Sequence, residues 1–513
     1  MHFRFSQHAR RTGRAGALAL LFLLGVLVLS ACASSGPSTP SSTTPKKGGT
    51  LNVGLIAEPT TLEPLKSVTL YDTDIMANIY DTLFKYDSQL KIQPYLVSSY
   101  TYTTPTQLDM TLRTDVKFQD GTPFNADAVV FNINRYLNDK TSPRFTDVVS
   151  IDKVVKVSDD KVQIKLKQPF APLLNVLTGS VGMMLSPTAV QKLGSKLGNT
   201  PTQVGSGPYT FVEWIKGDHL LLKANPNYWQ KDKSGIQLPY LQTIRYRTIT
   251  NANVMYNNLE TNQIQLASNI DPNNLDQIKS NPELTYRQIV GPGFQSLQLN
   301  ESKPPLNNIH VRRAIAWAID RAQIVHTVLK DVGVVAKGPI SPISWAYSKD
   351  FTGITFDANK AKDELAQSGV SNPTFTLLAT SGNPTTDQEI QLIQAQLKTV
   401  GITMNIKQEI FTTVVQDFQT FNYQAVFIGW TGSLDPDGTL YPMFTSKGGF
   451  NYTKYSDKQV DTLLDKGRTT IDQAQRVTLY QQAEQMIVEE ASRVFINHGA
   501  VYQASSSKLK NYT

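Results

Sequence analysis

The chain is almost free of cysteine. Its single cysteine stands at position 32 of 513 residues, so the rest of the chain has no partner for a disulfide bond and no thiolate for a metal site. Histidine is scarce too, with six residues, two of which (His2 and His8) precede Cys32. We therefore expect no metal and no cofactor, and only a site assembled from distant residues would escape this argument.

Motifs of secreted hydrolases are missing as well. The chain has no HExxH pair, no GxSxG elbow and no Walker A loop, which are the local arrangements that zinc proteases, serine hydrolases and nucleotide-binding enzymes require. Two catalytic carboxylates that come together only in the folded protein cannot be recognised in a sequence. Enzymes of that kind are therefore not excluded. We predict that the protein is not an enzyme.

Long apolar runs and clusters of one charge are also rare. After residue 48 no stretch is apolar enough to span a membrane, and hydrophobic residues make up 40% of the chain, as in ordinary globular proteins. Four of the arginines that produce the net charge of +7 precede Cys32, where no acidic residue stands, so the remainder carries about +3. Lys and Arg are scattered along it. We expect no nucleic-acid partner, and the length predicts two or three domains.

The long apolar run that is present lies at the start. Residues 15–31 are apolar or small and follow Arg4, Arg10, Arg11 and Arg14, which is the layout of a secretory signal peptide. An uncleaved membrane anchor is the alternative, although the run is somewhat short for a spanning helix. The four residues Leu-Ser-Ala-Cys that end at Cys32 resemble the lipobox of bacterial lipoproteins.

This resemblance implies a signal peptide at 1–31 and an acylated Cys32 as the mature N-terminus. Residues 32–48 are rich in Ser, Thr and Pro and predict a flexible stalk. We expect an exported protein that Cys32 anchors to the outer face of the cytoplasmic membrane, at the cell surface or in the periplasm.

The region from 374 to 430 predicts an α/β lobe. Residues 374–380 have the pattern of a strand, 386–400 that of an amphipathic helix, and 402–406 alternate as a second strand. The continuous apolar run at 425–428 is typical of a buried parallel strand. The resulting β-α-β-α-β order predicts parallel strands joined by helical crossovers.

The strongest helical pattern covers 306–330. Apolar residues follow one another there at steps of three and four, and they are Val311, Ile315, Ala318, Ala322, Val325 and Leu329. We predict a helix over this range and assign its apolar stripe to the hydrophobic core. A second helix is predicted after Asn125, which is suited to cap it.

Six segments in order carry a resemblance to one protein family. They are GGTLNVGLIAEPTTLEP from position 48, VKFQDGTPFNADAVVFNINRYL from 116, GSGPYTFVEW from 205, NPNYW from 225, PPLNNIHVRRAIAWAIDRAQI from 304, and GWTGSLDPDG from 429. In this order they resemble the extracellular solute-binding proteins of family 5, the peptide-binding and related receptors of ABC importers. The resemblance extends over almost the whole chain after residue 48.

The resemblance implies an α/β fold of the two-lobed periplasmic-binding-protein type (class II, cluster C), with mixed sheets, flanking helices and hinged lobes. It implies a monomer that delivers its solute to ABC permease subunits. Three domains are implied, a discontinuous domain I at 46–79, 205–262 and 491–513, domain II at 80–204, and domain III at 263–490.

Two loops are implied as ligand contacts. Members that bind peptides hold the ligand backbone as an added strand, and the matching positions here are Glu58, Thr60 and Thr61 in a first loop and Gly429, Trp430 and Thr431 in a second. At the position where such members hold the peptide ammonium with an aspartate, this chain has Ser433. The helix at 385–400 also lacks the arginine that grips a dipeptide carboxylate.

The residues of the second loop point to a ligand on their own. Trp430, Asp435 and Asp437 follow a buried strand, and crevices at the carboxyl ends of strands are where open α/β sheets bind ligands. Trp430 is then an aromatic platform, and an aspartate accepts from an ammonium or hydroxyl group. The alternative is that Trp430 fills core and that Asp435-Pro436 forms a turn.

Three hypotheses remain from the sequence. The first is an oligopeptide-binding subunit of an ABC importer. The second keeps this role but assigns an oligosaccharide or another non-peptide solute, which would stack on Trp430. The third is a surface lipoprotein that signals or scaffolds a partner, which a filled interlobe cleft would favour.

Overall fold

The computed structural model describes residues 45–268 and 270–510. Contacts along the chain divide it into Met1–Lys47 and Gly48–Thr513, and the second unit contains all the elements reported below. The predicted signal peptide, Cys32 and the stalk up to residue 44 lie outside the described residues. Within the described ranges, no helix combines the length and the hydrophobicity that crossing a membrane requires.

The largest sheet has seven strands and contains the first and the last strand of the described chain. Its order is β12-β19-β11-β1-β10-β9-β8, and β1 is parallel to both of its neighbours. The strands are β1 (Thr50–Leu55), β8 (Tyr209–Ile215), β9 (His219–Ala224), β10 (Thr243–Thr248), β11 (Leu266–Ser268), β12 (Leu284–Val290) and β19 (Ala500–Ser506).

A second, six-stranded sheet lies in the C-terminal half. Its order is β14-β18-β13-β17-β15-β16, with β15 parallel to both β16 and β17. The strands are β13 (Phe294–Leu299), β14 (Val334–Val335), β15 (Thr374–Thr380), β16 (Thr403–Glu409), β17 (Ala425–Trp430) and β18 (Arg493–His498).

Two small antiparallel sheets complete the strands in the described ranges. One has the order β4-β5-β7-β6, and the other pairs β2 with β3. Their strands are β2 (Phe84–Tyr86), β3 (Ile92–Pro94), β4 (Val97–Thr104), β5 (Gln107–Leu112), β6 (Ile151–Ser158) and β7 (Lys161–Leu166).

Helices flank the sheets. They are α1 (Leu70–Ile79), α2 (Ala126–Asn138), α3 (Phe145–Val148), α4 (Leu173–Val176), α5 (Pro187–Leu193), α6 (Ala252–Glu260), α7 (Leu275–Ser280), α8 (Ile309–Ala318), α9 (Arg321–Gln323), α10 (Ala358–Ser368), α11 (Pro384–Thr399), α12 (Phe411–Gln419), α13 (Asp437–Phe444), α14 (Lys458–Thr469) and α15 (Gln473–Glu490). Short helical turns occupy Ser180–Gly182, Gly194–Lys196, Pro272–Asn274 and Ile324–Val328.

The predicted β-α-β-α-β unit is confirmed in β15, α11, β16, α12 and β17. The side chain of Asn383 caps α11 by accepting a hydrogen bond from the Thr386 amide, and Pro384 occupies the first turn, where its missing amide hydrogen costs nothing. Ile390, Ile393 and Leu397 lie on the inner face, as the spacing predicts, and are buried. The predicted cap of α2 is confirmed as well, since Asn125 accepts from the Ala128 amide.

The predicted helix over 306–330 is interrupted in the structure. It consists of α8, α9 and a separate turn at Ile324–Val328, and the break falls at Ile319 and Asp320. Asp320 has extended backbone and accepts a hydrogen bond from the Gln323 amide, so it starts a new helix rather than continuing the old one. Five of the six residues of the apolar stripe are nevertheless buried as predicted, whereas Ala322, which follows the break, is exposed.

Sheet membership bears on the domain division, which remains a prediction. Strands β11 and β12 pair within the seven-stranded sheet together with β1, although the implied boundary at 262/263 assigns them to domain III. Strand β18 pairs within the six-stranded sheet, although the boundary at 490/491 assigns it to domain I. We propose that the boundaries lie instead near residues 291 and 499, where the chain passes from one large sheet to the other.

Candidate functional site

A cavity of about 680 Å³ lies where the chain passes between the two large sheets. The two crossing segments line it at 291–293 and at Gly499. Further walls come from the start of α1, the turn after β11, the start of α11, α12 and the end of β17. A volume of this size is that of a small-molecule or peptide-binding pocket.

Aromatic side chains form much of the cavity wall. Phe411 and Phe418 come from α12, and each packs edge-on against a ring of another segment, Tyr71 at 5.6 Å and Tyr452 at 4.7 Å between ring centroids. Such contacts hold the rings in place. These rings give that part of the wall an apolar surface.

Trp430 belongs to this wall and is also held by neighbouring side chains. Its ring lies 4.9 Å from that of Phe450, and its Nε1 donates to Thr439 Oγ1 at 3.3 Å. Trp430 is therefore anchored by other side chains and also lines the cavity, and its role as a platform for a ligand stays a prediction. Its neighbours Gly429 and Thr431 line the cavity as well.

The backbone at the end of β17 has one unpaired edge in the described part of the chain. On one side, residues Ile428, Gly429 and Trp430 pair with β13. On the other side β15 pairs with β17 only from Ala425 to Phe427. The edge that faces away from β13 therefore has no strand partner where β17 meets the cavity.

Asp435 and Asp437 do not line the cavity, and their predicted role as ligand acceptors is revised. Asp435 is held by Arg476 Nη2 at 2.7 Å, and Asp437 accepts three hydrogen bonds from Arg468, at 3.0 to 3.1 Å. Asp437 is 1% exposed. Burial raises the pKa of Asp435, and the Arg476 charge opposes that shift. Both carboxylates are neutralised inside the protein.

The predicted first loop is also held by internal bonds. Glu58 accepts hydrogen bonds from Trp214 Nε1 at 2.8 Å and from the Gly217 amide at 3.1 Å. Asp72, which is fully buried, accepts from the amides of Thr60 and Thr61 and from the Thr60 hydroxyl. None of the three predicted residues of this loop is among those that line the cavity.

Ser433 likewise lies away from the cavity lining. Its Oγ accepts a hydrogen bond from Asn175 Nδ2 at 3.3 Å. Asn175 belongs to α4, which packs with the small four-stranded sheet, so Ser433 contacts the opposite part of the protein rather than the cavity. Of the predicted residues, the structure brings Gly429, Trp430 and Thr431 together at the cavity.

The polar end of the cavity was not predicted. Asp271, Thr385, Glu389 and Asn497 line it. Thr385 Oγ1 donates to Asp271 Oδ1 at 2.6 Å, and Asn497 Nδ2 lies 3.5 Å from Glu389 Oε1. A signal for Glu389 was present in the sequence, because it stands four residues before Ile393 and thus on the buried face of α11.

Titratable side chains of this end are deeply buried. Glu389 is 4% exposed, and burial, followed by the negative charge of Asp271, raises its pKa to about 8. In the described ranges, no group of three or more His, Cys, Asp or Glu side chains is placed to hold a metal ion. The site offers carboxyl and amide groups at one end and aromatic rings elsewhere.

Two mixed sheets joined at a cavity by two crossing segments define a two-domain α/β periplasmic binding protein. A sequence model of the family described as bacterial extracellular solute-binding proteins, family 5 Middle, matches residues 91–451. The chain belongs to this family of solute-binding proteins.

Individual relatives cover nearly the whole chain. The glutathione-binding protein GsiB of Pectobacterium atrosepticum is 30% identical over 474 residues, which cover 88% of this chain and 89% of that protein. The oligopeptide-binding protein AppA of Bacillus subtilis, solved with a nonapeptide, is 27% identical with a TM-score of 0.84, covering 92% of this chain and 97% of its own. NikZ of Campylobacter jejuni, solved with Ni(L-His), is 25% identical with a TM-score of 0.82, covering 90% and 95%.

Proposed function

We propose that this protein is the substrate-binding subunit of an ABC importer that captures oligopeptides in the cavity and delivers them to a membrane permease. Similarity to AppA, solved with a nonapeptide, and to a glutathione-binding protein supports a peptide-like ligand. Binding is followed by closure of the lobes, which removes water from the ligand and strengthens its polar contacts. No bond is made or broken in this role.

The unpaired edge of β17 is the observation that carries the peptide assignment. The pairing of β15 with β17 stops at Phe427. An extended ligand beside Gly429 and Trp430 lies on the same side of β17, directly beyond the end of that pairing. Main-chain hydrogen bonds of this kind supply affinity without reading side chains. The aromatic wall then receives the ligand side chains, and the volume of about 680 Å³ leaves room for several of them.

We further propose that the protein is exported, cleaved before Cys32, and anchored by the acylated cysteine. The signal-like run and the Ser/Thr/Pro-rich stalk support this proposal. A single acyl chain gives only marginal membrane binding, so we expect the mature N-terminus to carry more than one. In this arrangement the binding unit acts as a monomer beside its permease.

A second candidate is a non-peptide solute. Similarity to NikZ, solved with Ni(L-His), shows that proteins of this fold hold different ligands. In this chain Trp430 lines the cavity and is fixed by Phe450, which is a suitable platform for a sugar ring. The third hypothesis, a scaffold without transport, is disfavoured by the size of the cavity.

The test is native mass spectrometry of the protein purified without denaturation, followed by release and identification of what it carries. Short peptides within one length range support the peptide assignment. A single sugar or other small solute transfers the assignment to the second candidate. A protein that arrives empty and that no peptide or glycan pool stabilises against heating contradicts the transport role.

A further inference from the structure

The ionisable side chains that line the cavity in the described part of the chain are carboxyl groups, apart from the tyrosines. Among the lining residues in the described part of the chain, Asp271 and Glu389 are acidic, and no Lys, Arg or His joins them. A ligand carboxylate therefore meets no cation in this wall. A ligand cation meets two acids at one end.

Asp271 is fixed by the protein itself. Thr385 donates to it through its hydroxyl at 2.6 Å and its amide at 3.3 Å, and the Asn273 amide donates at 2.9 Å. Three donors hold the carboxylate in one orientation. Asp271 thus contributes a stationary negative charge at this end of the cavity.

Glu389 is different, because nothing in the packing of α11 calls for a carboxyl group there. It is 4% exposed, and its one hydrogen-bond contact in the described part of the chain is the 3.5 Å approach of Asn497 to Oε1. Its neighbours Ile390 and Ile393 are apolar and buried. An apolar residue at 389 would extend that stripe, whereas a carboxyl group buried with so little compensation is unfavourable for folding.

We propose that Glu389, with Asp271 beside it, is the recognition subsite for an organic cation, a primary ammonium or a guanidinium group, carried by the captured solute. This inference rests on the proposed function and names the part of the ligand that the cavity selects. In a peptide the group is the N-terminal ammonium or a basic side chain. The ligand carboxylate then lies away from this end.

The charge state of Glu389 follows from its surroundings. Because burial and Asp271 raise its pKa to about 8, the empty site holds the proton at neutral pH, and an arriving cation displaces it. Affinity for a cationic solute should therefore rise between pH 6 and pH 8. Other basic groups on the elements packed against α11 have partners elsewhere: Lys407 with Glu409, His310 with Glu364, Arg312 with Glu490, Arg313 with the Glu489 carbonyl, and His326 with Asp331. The basic residue of β18 next to Asn497 is His498. Burial lowers its pKa to about 4, so it carries no charge at neutral pH.

The test compares three pools of tri- to nonapeptides made without Lys, Arg or His: one with free termini, one N-acetylated and one C-amidated. Binding is measured by native mass spectrometry and calorimetry at pH 7.5. We expect N-acetylation to weaken binding tenfold or more and amidation to change it less than threefold. Glu389→Gln should weaken binding of the free pool about tenfold and leave the acetylated pool unchanged.

Glu484→Gln is the matched control. Glu484 is another buried glutamate whose pKa is raised to about 8, but it accepts a hydrogen bond from the Ile340 amide and does not line the cavity. This variant should bind all pools as the wild type does. Glu389→Met, which extends the apolar stripe of α11, serves as a second variant and should show the same loss as Glu389→Gln.

Equal binding of the free and acetylated pools, or an unchanged Glu389→Gln variant, overturns the inference. If the wild type binds no peptide pool, the peptide assignment fails. Binding of spermidine and of maltotriose then tests whether the Glu389 subsite accepts a cation. Binding of spermidine that Glu389→Gln weakens supports it. Binding of maltotriose alone, or of neither probe, overturns it.

Discussion

Single residues around the cavity show how buried charge is distributed in this protein. Asp435 and Asp437 are each matched by a guanidinium group from α14 or α15, and their charges serve the packing of those helices. Glu389 and Glu484 have no such cation and avoid ionisation instead. A buried carboxyl group without a cation beside it therefore makes stability depend on pH.

Glu484 provides a prediction of that dependence. Burial raises its pKa to about 8 in the folded protein, against an ordinary value near 4.5, so between these values the folded state holds a proton that the unfolded state has lost. Stability must then fall as pH rises through this window, by up to ~1.4 kcal/mol per pH unit for one such group. We expect the melting temperature of wild-type protein to fall between pH 6 and pH 8.5.

Glu484→Gln should reduce this fall, because the amide has no proton to lose and its oxygen still accepts from the Ile340 amide. Part of the slope should remain, since Glu389 and Glu301 also have raised pKa values, about 8 and about 7. Thermal unfolding of both proteins over this pH range is the measurement. Identical slopes would mean that Glu484 is ionised in the folded protein.

At the level of elements, the end of β17 depends on the crossing segment before β13. Gly293 lies so close to this end that an added Cβ would stand 2.0 Å from the Trp430 carbonyl oxygen. Gly432, with a φ of +73°, turns the chain away directly afterwards. The position of the unpaired backbone edge is thus set by two glycines that allow close contact between the segments.

Gly293→Ala is therefore expected to displace the end of β17 and to reduce ligand affinity tenfold or more. The physical reason is steric, because the contact is with backbone, which cannot rotate away. Gly179→Ala is the control, since its added Cβ meets nothing closer than 3.8 Å and its φ is negative. Calorimetry with the ligand identified from the purified protein, and melting curves of both variants, make the comparison. Full affinity in Gly293→Ala would show that the edge is not a ligand contact.

Across the whole molecule, the chain passes between the two large sheets only at residues 291–293 and 499 within the described ranges. Other contacts join the six-stranded sheet to the part of the protein that carries the four-stranded sheet. Arg468 Nη1 donates to the Thr146 carbonyl at 3.0 Å, and Asn175 donates to Ser433 at 3.3 Å. These contacts join the two parts at places other than the crossing segments. Opening the lobes must therefore break them.

A covalent link at the second contact should hold the lobes closed. We predict that Asn175→Cys/Ser433→Cys, oxidised to a disulfide while ligand is bound, releases that ligand at least tenfold more slowly than the unlinked protein. Dilution followed by timed native mass spectrometry measures the rate. Each single-cysteine variant, treated in the same way, is the control. Release at the unlinked rate would mean that the ligand leaves without separation of these parts.

Local structure could be predicted from the sequence wherever its cause is local. The elements from β15 to β17 follow from periodicity and from capping residues such as Asn383, because both act within a few residues of the chain. Gly429, Trp430 and Thr431 at the end of β17 were predicted as ligand contacts from the motif at this position, and the structure places them at the cavity. Continuity of the helix at 306–330 was predicted wrongly, since one capping aspartate, Asp320, outweighs the apolar spacing.

The sequence by itself determined the family, the α/β class and the strand whose end meets the cavity, because these depend on patterns and motifs along the chain. Only the tertiary structure decided which carboxyl groups line the cavity. Asp437 meets Arg468, 31 residues away, and Asp435 meets Arg476, 41 residues away, while Glu389 is left beside Asp271 and Asn497. The sequence gives the identity of each ionisable side chain, but whether its charge is paired depends on packing between segments that are distant along the chain.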